Sequence, residues 1–308
     1  MKKTAYTVIA LVLALIVLPP VYFALLGDSH PPELPAPGRR AQLPGGARVN
    51  LLERGQGLAI VLVHGLPGVG YDWRTLSERL AAQGARVIAY DRVGYGHSSR
   101  REPGDPFTCE QNASELLELL ELLDLSDATL VGWSYGGGVV LRAALRQPGR
   151  IGRLVAIGSV GPAFEGEPAD VMTRMFLSKR VRSWLSKVPP LSEAIIAGES
   201  RAQAFSGQAM PSWWVPQLRA SLALPGTVQT WLAEEDQFAI DGLDPSPLEI
   251  PLLVIQGTDD RYVPMAVAED LAERARPASK LLRVEGGSHM LPITHADLLA
   301  QQILGFAR

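Results

Sequence analysis

Residues 127–148 read DATLVGWSYGGGVVLRAALRQP. The apolar run ATLVGW leads into a serine, Ser134, with glycines at 132, 136, 137 and 138, and the helical pattern GGGVVLRAALRQ leads out. Glycine on both sides of the serine permits a turn too tight for β-carbons. A strand that turns abruptly into a helix lifts the residue at its apex above the end of a sheet. Ser134 is therefore either a hydroxyl displayed at a strand end or a residue that merely caps the helix after it.

Outward from this stretch the same rhythm repeats. Short apolar runs at LAIVLVH, ARVIAYD, ATLVGW and RLVAIG read as buried parallel strands, and PLLVIQG and KLLRVEG resume the series near the carboxyl end. Helical patterns separate them: DWRTLSERLAAQ, NASELLELLELLDL and, last in the chain, ADLLAQQILGF. RRAQL and ARVNLLER, around Pro44-Gly45-Gly46, read as an antiparallel hairpin. The alternation predicts an α/β fold in which a mostly parallel sheet is covered by helices on both faces.

The rhythm stops over 162–247, where helical patterns are broken by prolines and four of the six tryptophans fall: Trp184, Trp213, Trp214 and Trp231. An inserted helical block is expected to form a cap over the carboxyl ends of the strands, where open α/β sheets bind ligands. The expected organisation is thus a core of residues 39–161 and 248–308 with a cap of residues 162–247. The cap tryptophans are expected chiefly to pack it onto the core. Trp213, Trp214 and Trp133 beside the serine are the candidates for a substrate pocket.

Composition narrows the function. The 308 residues, 47% hydrophobic and 20% charged, suffice for a full core, and the net charge of −3 gives no electrostatic case for nucleic acid. A single cysteine, Cys109, can form neither an internal disulfide nor a cysteine-based zinc cluster.

The amino-terminal segment differs from the rest. Lys2 and Lys3 precede an uncharged run from Ala5 to Gly27, broken by Pro19 and Pro20. Its length suits an uncleaved membrane anchor, with a cleaved signal peptide as the main alternative and a buried or interfacial helix as a third. The lysines would place the bulk of the chain on the extracytoplasmic side, membrane-anchored or, after cleavage, secreted or periplasmic. The proline-rich DSHPPELPAPG, residues 28–38, reads as a stiff spacer.

A serine hydroxyl needs a base to become a nucleophile, and the chain offers five histidines. His30 lies in the spacer, His97 in a glycine-rich loop, and His295 at the start of the last helix. His64 ends a strand and is expected to shape the turn after it. His289, in KLLRVEGGSHM, follows the last strand and two glycines, which suits a side chain aimed across the sheet. An acid to hold its tautomer is offered by GTDDRYVP, as Asp259 or Asp260. An oxyanion needs two backbone N–H groups, and these are expected from Tyr135, next after the serine, and from Leu66 in the HGLPG loop.

With these residues assembled, the chain from about Arg39 to its end resembles the α/β-hydrolase superfamily. The motifs that carry the resemblance are HGLPGVGYDW (64–73), DRVGYGHS (91–98), GWSYGG (132–137), GTDDRYVP (257–264) and GGSHM (286–290), in this order. The resemblance implies an eight-stranded, mostly parallel sheet with a helical cap after the sixth strand. It also implies Ser134 as nucleophile, Asp260 as acid, His289 as base, and Leu66 and Tyr135 as oxyanion donors. Epoxide hydrolases and haloalkane dehalogenases share these loops but carry an aspartate nucleophile, which the serine argues against.

The expected activity is hydrolysis of a carboxylic ester or similar acyl bond of a small, apolar substrate through an acyl-enzyme, with no metal or organic cofactor. Carbon–carbon bond hydrolysis or a cofactor-free perhydrolase activity would use the same triad. A receptor that keeps the fold without turnover is the alternative of a different class.

Overall fold

A computed structural model of the chain describes residues 33–102, 104–162, 164, 189–236 and 243–308. Eight strands form one sheet: β1 (Arg39–Gln42), β2 (Arg48–Arg54), β3 (Leu58–Val63), β4 (Ala85–Asp91), β5 (Ala128–Trp133), β6 (Ile151–Ile157), β7 (Leu252–Gly257) and β8 (Ser279–Val284). Their spatial order is β1-β2-β4-β3-β5-β6-β7-β8. β1 and β2 form the expected antiparallel hairpin, β2 pairs antiparallel with β4, and every later pairing is parallel. Because β3 lies between β4 and β5, the chain reverses its direction of travel across the sheet there. The loops after β3 and β5 leave side by side at that switch point, where such sheets form their ligand crevice.

Burial explains the strand composition. Ile60, Val61, Leu62 and Val63 are wholly buried, and all six residues of β5 are buried too. A strand covered on both faces is apolar at every position rather than at alternate ones. Helices α1 (Arg74–Ala81), α2 (Cys109–Leu122) and α3 (Tyr135–Arg146) follow β3, β4 and β5 in turn. One face of the sheet packs Leu116, Leu119 and Leu120 of α2 with Val139 and Val140 of α3, and the other packs Leu76 and Leu80 of α1. Truncating one such leucine to alanine would cost about 2–5 kcal/mol. α2 starts at Thr108, whose side chain accepts a hydrogen bond from Gln111 N at 3.1 Å.

Between β6 and β7 lie α4 (Pro189–Glu199), a π-helical turn (Ser200–Ala204), α5 (Trp214–Ala223) and α6 (Thr227–Asp236). The described residues of this insertion contain no strand, in keeping with its proline-broken helical pattern. Trp184 lies outside the described residues. After β7 come α7 (Met265–Arg274), then β8, the short helix α8 (Leu291–Thr294) and α9 (Ala296–Ala307), whose Leu299 and Ile303 pack beside Leu76 and Leu80.

The expected membrane placement is corrected. No helix among the described residues is long and apolar enough to cross a membrane. The segment expected to do so, residues 1–27, lies outside the described residues. The described end of the expected spacer does not stand away from the core. Gly38 N donates to Asn50 Oδ1 at 2.8 Å, and Pro35 O lies 2.9 Å from His97 Nε2.

Candidate active site

Ser134 occupies the turn between β5 and α3 with φ 56° and ψ −122°. This positive φ is strained for a residue with a β-carbon. Three hydrogen bonds hold it: Ser134 N donates to Ile157 O at 2.9 Å, and Ser134 O accepts from Gly137 N at 2.9 Å and from Val160 N at 3.3 Å. The flanking glycines are required by contact. A β-carbon on Gly136 would lie 2.2 Å from Val63 O, and one on Gly132 would lie 2.3 Å from Gly136 O. Ser134 sits at the N-cap of α3 but makes no side-chain capping bond. The capping role that the sequence left open for this hydroxyl is therefore not the one it takes.

His289 follows β8 and is buried, with Nδ1 2.8 Å from Asp260 Oδ2. Asp260, not Asp259, is the acid that meets it. The Asp260 carboxylate is itself held: Oδ1 accepts from Tyr262 N and Val263 N, both at 2.9 Å, and Oδ2 accepts from Gln256 Nε2 at 3.0 Å. With Nδ1 engaged by the carboxylate, the Nε2 edge of the imidazole is the one left to face a substrate or hydroxyl. Asp259 shapes the turn, its carbonyl accepting from Ser206 Oγ at 2.6 Å.

The loop after β6 joins the two halves of the site. Ile157 O and Val160 N bind the Ser134 backbone, and between them Gly158 (φ +49°) passes beside the histidine. A β-carbon on Gly158 would lie 3.1 Å from Asp260 Oδ2 and 3.2 Å from His289 Nδ1. On the opposite side of the serine a β-carbon on Gly65 would lie 2.9 Å from Ser134 Cβ and 3.5 Å from its Oγ. The HGLPG loop, with Leu66, therefore runs against the serine. Tyr135 is the first residue of α3, where a backbone N–H points back along the helix axis toward the elbow.

His64 does what its place at a strand end suggested. It is wholly buried, and its Nε2 accepts from Arg92 N at 3.0 Å. Nδ1 therefore carries the proton and donates to Gly65 O at 3.0 Å. Burial, with the Arg92 charge adding to it, holds the His64 pKa well below the usual histidine range, so the ring stays neutral.

The three tryptophans named as pocket candidates are all in packing contacts, the chief role expected of those in the insertion. Trp133 is 5% exposed, donates from Nε1 to His289 O at 2.9 Å, and has its ring centre 5.7 Å from that of His289. Trp214 donates from Nε1 to Ser200 Oγ at 3.0 Å and meets Phe205 edge-on. Trp213 lies beneath the Arg74 guanidinium, 3.0 Å from its ring centre. A cavity of about 570 Å³ against α4 and α5 includes Ala197, Arg201, Met210 and Val215 in its walls, and none of Ser134, Asp260 and His289.

Two further residues support the histidine: Tyr262, inside the motif GTDDRYVP, and Gln208, which no sequence pattern marks. Tyr262 meets the His289 ring edge-on at 5.2 Å, opposite in kind to the tilted Trp133 contact. Gln208 Nε2 donates to Gly286 O at 2.5 Å, and its Oε1 accepts from Ser288 Oγ at 3.0 Å, fixing the loop that carries the histidine. Among the described residues no group of three or more His, Cys, Asp or Glu side chains is arranged to hold a metal ion.

Residues 59–296 match the model of the alpha/beta hydrolase fold family. The chain belongs to this family. It is 31% identical to the pimeloyl-acyl-carrier-protein methyl ester esterase of Vibrio vulnificus, over 82% of this chain and 96% of that protein. It is 30% identical to the 2-hydroxy-6-oxo-2,4-heptadienoate hydrolase of Pseudomonas putida, over 78% of this chain and 85% of that protein. Among solved structures, a bromoperoxidase from Bacillus anthracis superposes with a TM-score of 0.73 at 28% identity, covering 87% of this chain and 99% of that one. The polyketide synthase ThaQ of Burkholderia thailandensis is also similar, at 29% identity over 86% of this chain, but the chain spans only 12% of that protein.

Proposed function

We propose that this α/β hydrolase is a serine hydrolase that cleaves a carboxylic ester or similar acyl bond of a small molecule through an acyl-enzyme. One observation carries the reading: a strained, non-capping Ser134 stands at a strand-to-helix turn, joined through the Gly158 loop to a His289 whose Nδ1 is held by Asp260. The similarity to a methyl ester esterase adds support for an ester substrate.

In this reaction His289 Nε2 takes the proton from Ser134 Oγ as the oxygen attacks the substrate carbonyl carbon. The carbonyl π pair moves onto oxygen, and the N–H groups of Leu66 and Tyr135 stabilise that oxyanion. Collapse re-forms the carbonyl and breaks the bond to the leaving alcohol, which receives the proton from His289. Water then gives a proton to His289 and attacks the acyl-enzyme, releasing the acid and returning the proton to Ser134 Oγ. Asp260 accepts from Nδ1 throughout and holds the imidazole in the required tautomer.

Ser134→Ala is expected to lower the turnover of a p-nitrophenyl ester by about 10⁴-fold or more, with the far-ultraviolet circular dichroism and melting curve unchanged. Full turnover in the folded variant contradicts the proposal.

A further inference from the structure

Below the HGLPG loop lies a fully buried polar cluster that the reaction above leaves unassigned. Arg92, just beyond the end of β4, and Glu234, on α6 of the inserted helices, are 1% and 0% exposed. They form a two-armed pair, with Arg92 Nη1 donating to Glu234 Oε1 at 2.8 Å and Nη2 donating to Oε2 at 3.2 Å. The carboxylate is completed by Tyr95 OH and Asn112 Nδ2, which donate to it at 2.7 Å each. A buried charge survives only when paired and hydrogen-bonded in this way.

The guanidinium has one further partner on the loop beside the serine. Arg92 Nη2 also donates to Gly65 O at 3.1 Å, the same carbonyl that accepts from His64 Nδ1. Arg92 N fixes the tautomer of that histidine, so both donors to Gly65 O depend on one residue. Gly65 C=O and Leu66 N–H belong to a single peptide unit, which is trans here. In a trans peptide the carbonyl and the N–H point in opposite directions within a rigid plane. Two donors drawing the carbonyl toward Arg92 therefore turn the Leu66 N–H away from it, in the loop whose Gly65 packs against the Ser134 side chain. The guanidinium also stands 4.8 Å from the ring centre of Tyr135, the other donor residue.

We infer that Arg92, clamped by Glu234, is a positioning residue that aims the Leu66 N–H at the substrate oxyanion, and that α6 of the inserted helices thereby sets the strength of the oxyanion hole. The inference rests on the acyl-transfer reading above. Arginine suits the task because its planar fork can hold a carboxylate and a carbonyl at once, whereas a lysine ammonium offers a single point. Gly94 brings α6 close enough for this clamp, since a β-carbon there would lie 2.5 Å from the Thr230 methyl group.

The test compares wild type with Arg92→Lys, which keeps a cation opposite Glu234, and with Arg92→Met/Glu234→Met, which removes both buried charges together. Each is assayed on a p-nitrophenyl ester and with two inhibitors: a trifluoromethyl ketone, which forms an oxyanion on adding Ser134 Oγ, and the matching alcohol, which does not. The folded variants are expected to lose at least ~10-fold in kcat, with KM within about threefold of wild type, because the oxyanion is present only in the transition state. The trifluoromethyl ketone should weaken by the same factor as kcat, while the alcohol binds as before. A kcat within twofold of wild type in either folded variant, or equal weakening of both inhibitors, overturns the inference. Ser134→Ala in the same assay reports on the nucleophile separately, so failure of the underlying reaction is seen independently of the Arg92 variants.

Discussion

The two sides of the site are built by different means. On the sheet side, positions are dictated by backbone packed on backbone: Gly136 against Val63 O, Gly132 against Gly136 O, and Gly257 against Gly287 O, at 2.2 to 2.3 Å from where a β-carbon would stand. On the side of the helices between β6 and β7, side chains make the joints. Glu234 reaches Arg92, Gln217 reaches both Asp72 and Arg74, and Trp213 lies beneath Arg74. Backbone contacts of the first kind tolerate only glycine, whereas side-chain joints depend on matched donors and acceptors. The candidate residues Ser134, Asp260 and His289 therefore sit on the part of the fold with the least freedom, and the insertion is joined to it by side chains.

Substitutions on the two sides should differ accordingly, and the largest effect is expected on the sheet side. Gly136→Ala puts a methyl group into a backbone carbonyl and should destabilise by more than about 4 kcal/mol, read by urea denaturation. A loss below 1 kcal/mol would show that the elbow is not braced by β3.

The joint between the two sides should respond to pH. Burial, partly offset by hydrogen bonds and by Arg74, raises the Asp72 pKa from 3.8 to about 7. The folded state then holds a proton that the unfolded chain has already released, so this contribution to stability is present below pH ~4 and is lost as pH rises to about 7. Asp72→Asn should remove a few kcal/mol of that slope, measured by denaturation at a series of pH values. An unchanged slope would mean that another group is responsible.

Smaller effects remain. Trp133→Phe keeps the ring beside His289 but deletes the bond to His289 O, and should cost about 1 kcal/mol in stability together with a severalfold fall in kcat. On the insertion side, Trp213→Leu removes the stacking with Arg74 and should cost about 0.5–1 kcal/mol, seen as a slight fall in melting temperature. A larger loss from Trp213→Leu than from Gly136→Ala would invert the comparison between the two sides.

Legibility in the sequence follows the same division. Runs such as LAIVLVH and ATLVGW predicted their strands because burial on both faces forces every position to be apolar. The glycines of GWSYGG and the order of the loops drew attention to Ser134, Asp260 and His289, because close backbone approach leaves glycine as its trace, and of these Asp260 and His289 meet at 2.8 Å. Glu234 left no such trace: a glutamate on a helix reads as a solvated residue until the fold brings Arg92, Tyr95 and Asn112 around it. Arg92 stands in the motif DRVGYGHS, but its partner lies 142 residues further along the chain. The tryptophans show the same limit, since composition marks a large aromatic ring but not which way it faces. The run Ala5 to Gly27 was read from length and hydropathy alone, and no described helix supports the span expected of it.

The central claim is that Ser134 is the nucleophile, and covalent capture tests it most directly. After reaction with a fluorophosphonate, peptide mass spectrometry should find one phosphonyl group per chain, on the peptide carrying Ser134, with ester turnover lost in proportion to labelling. Stoichiometric labelling at another residue, or turnover persisting once Ser134 is fully modified, would contradict it.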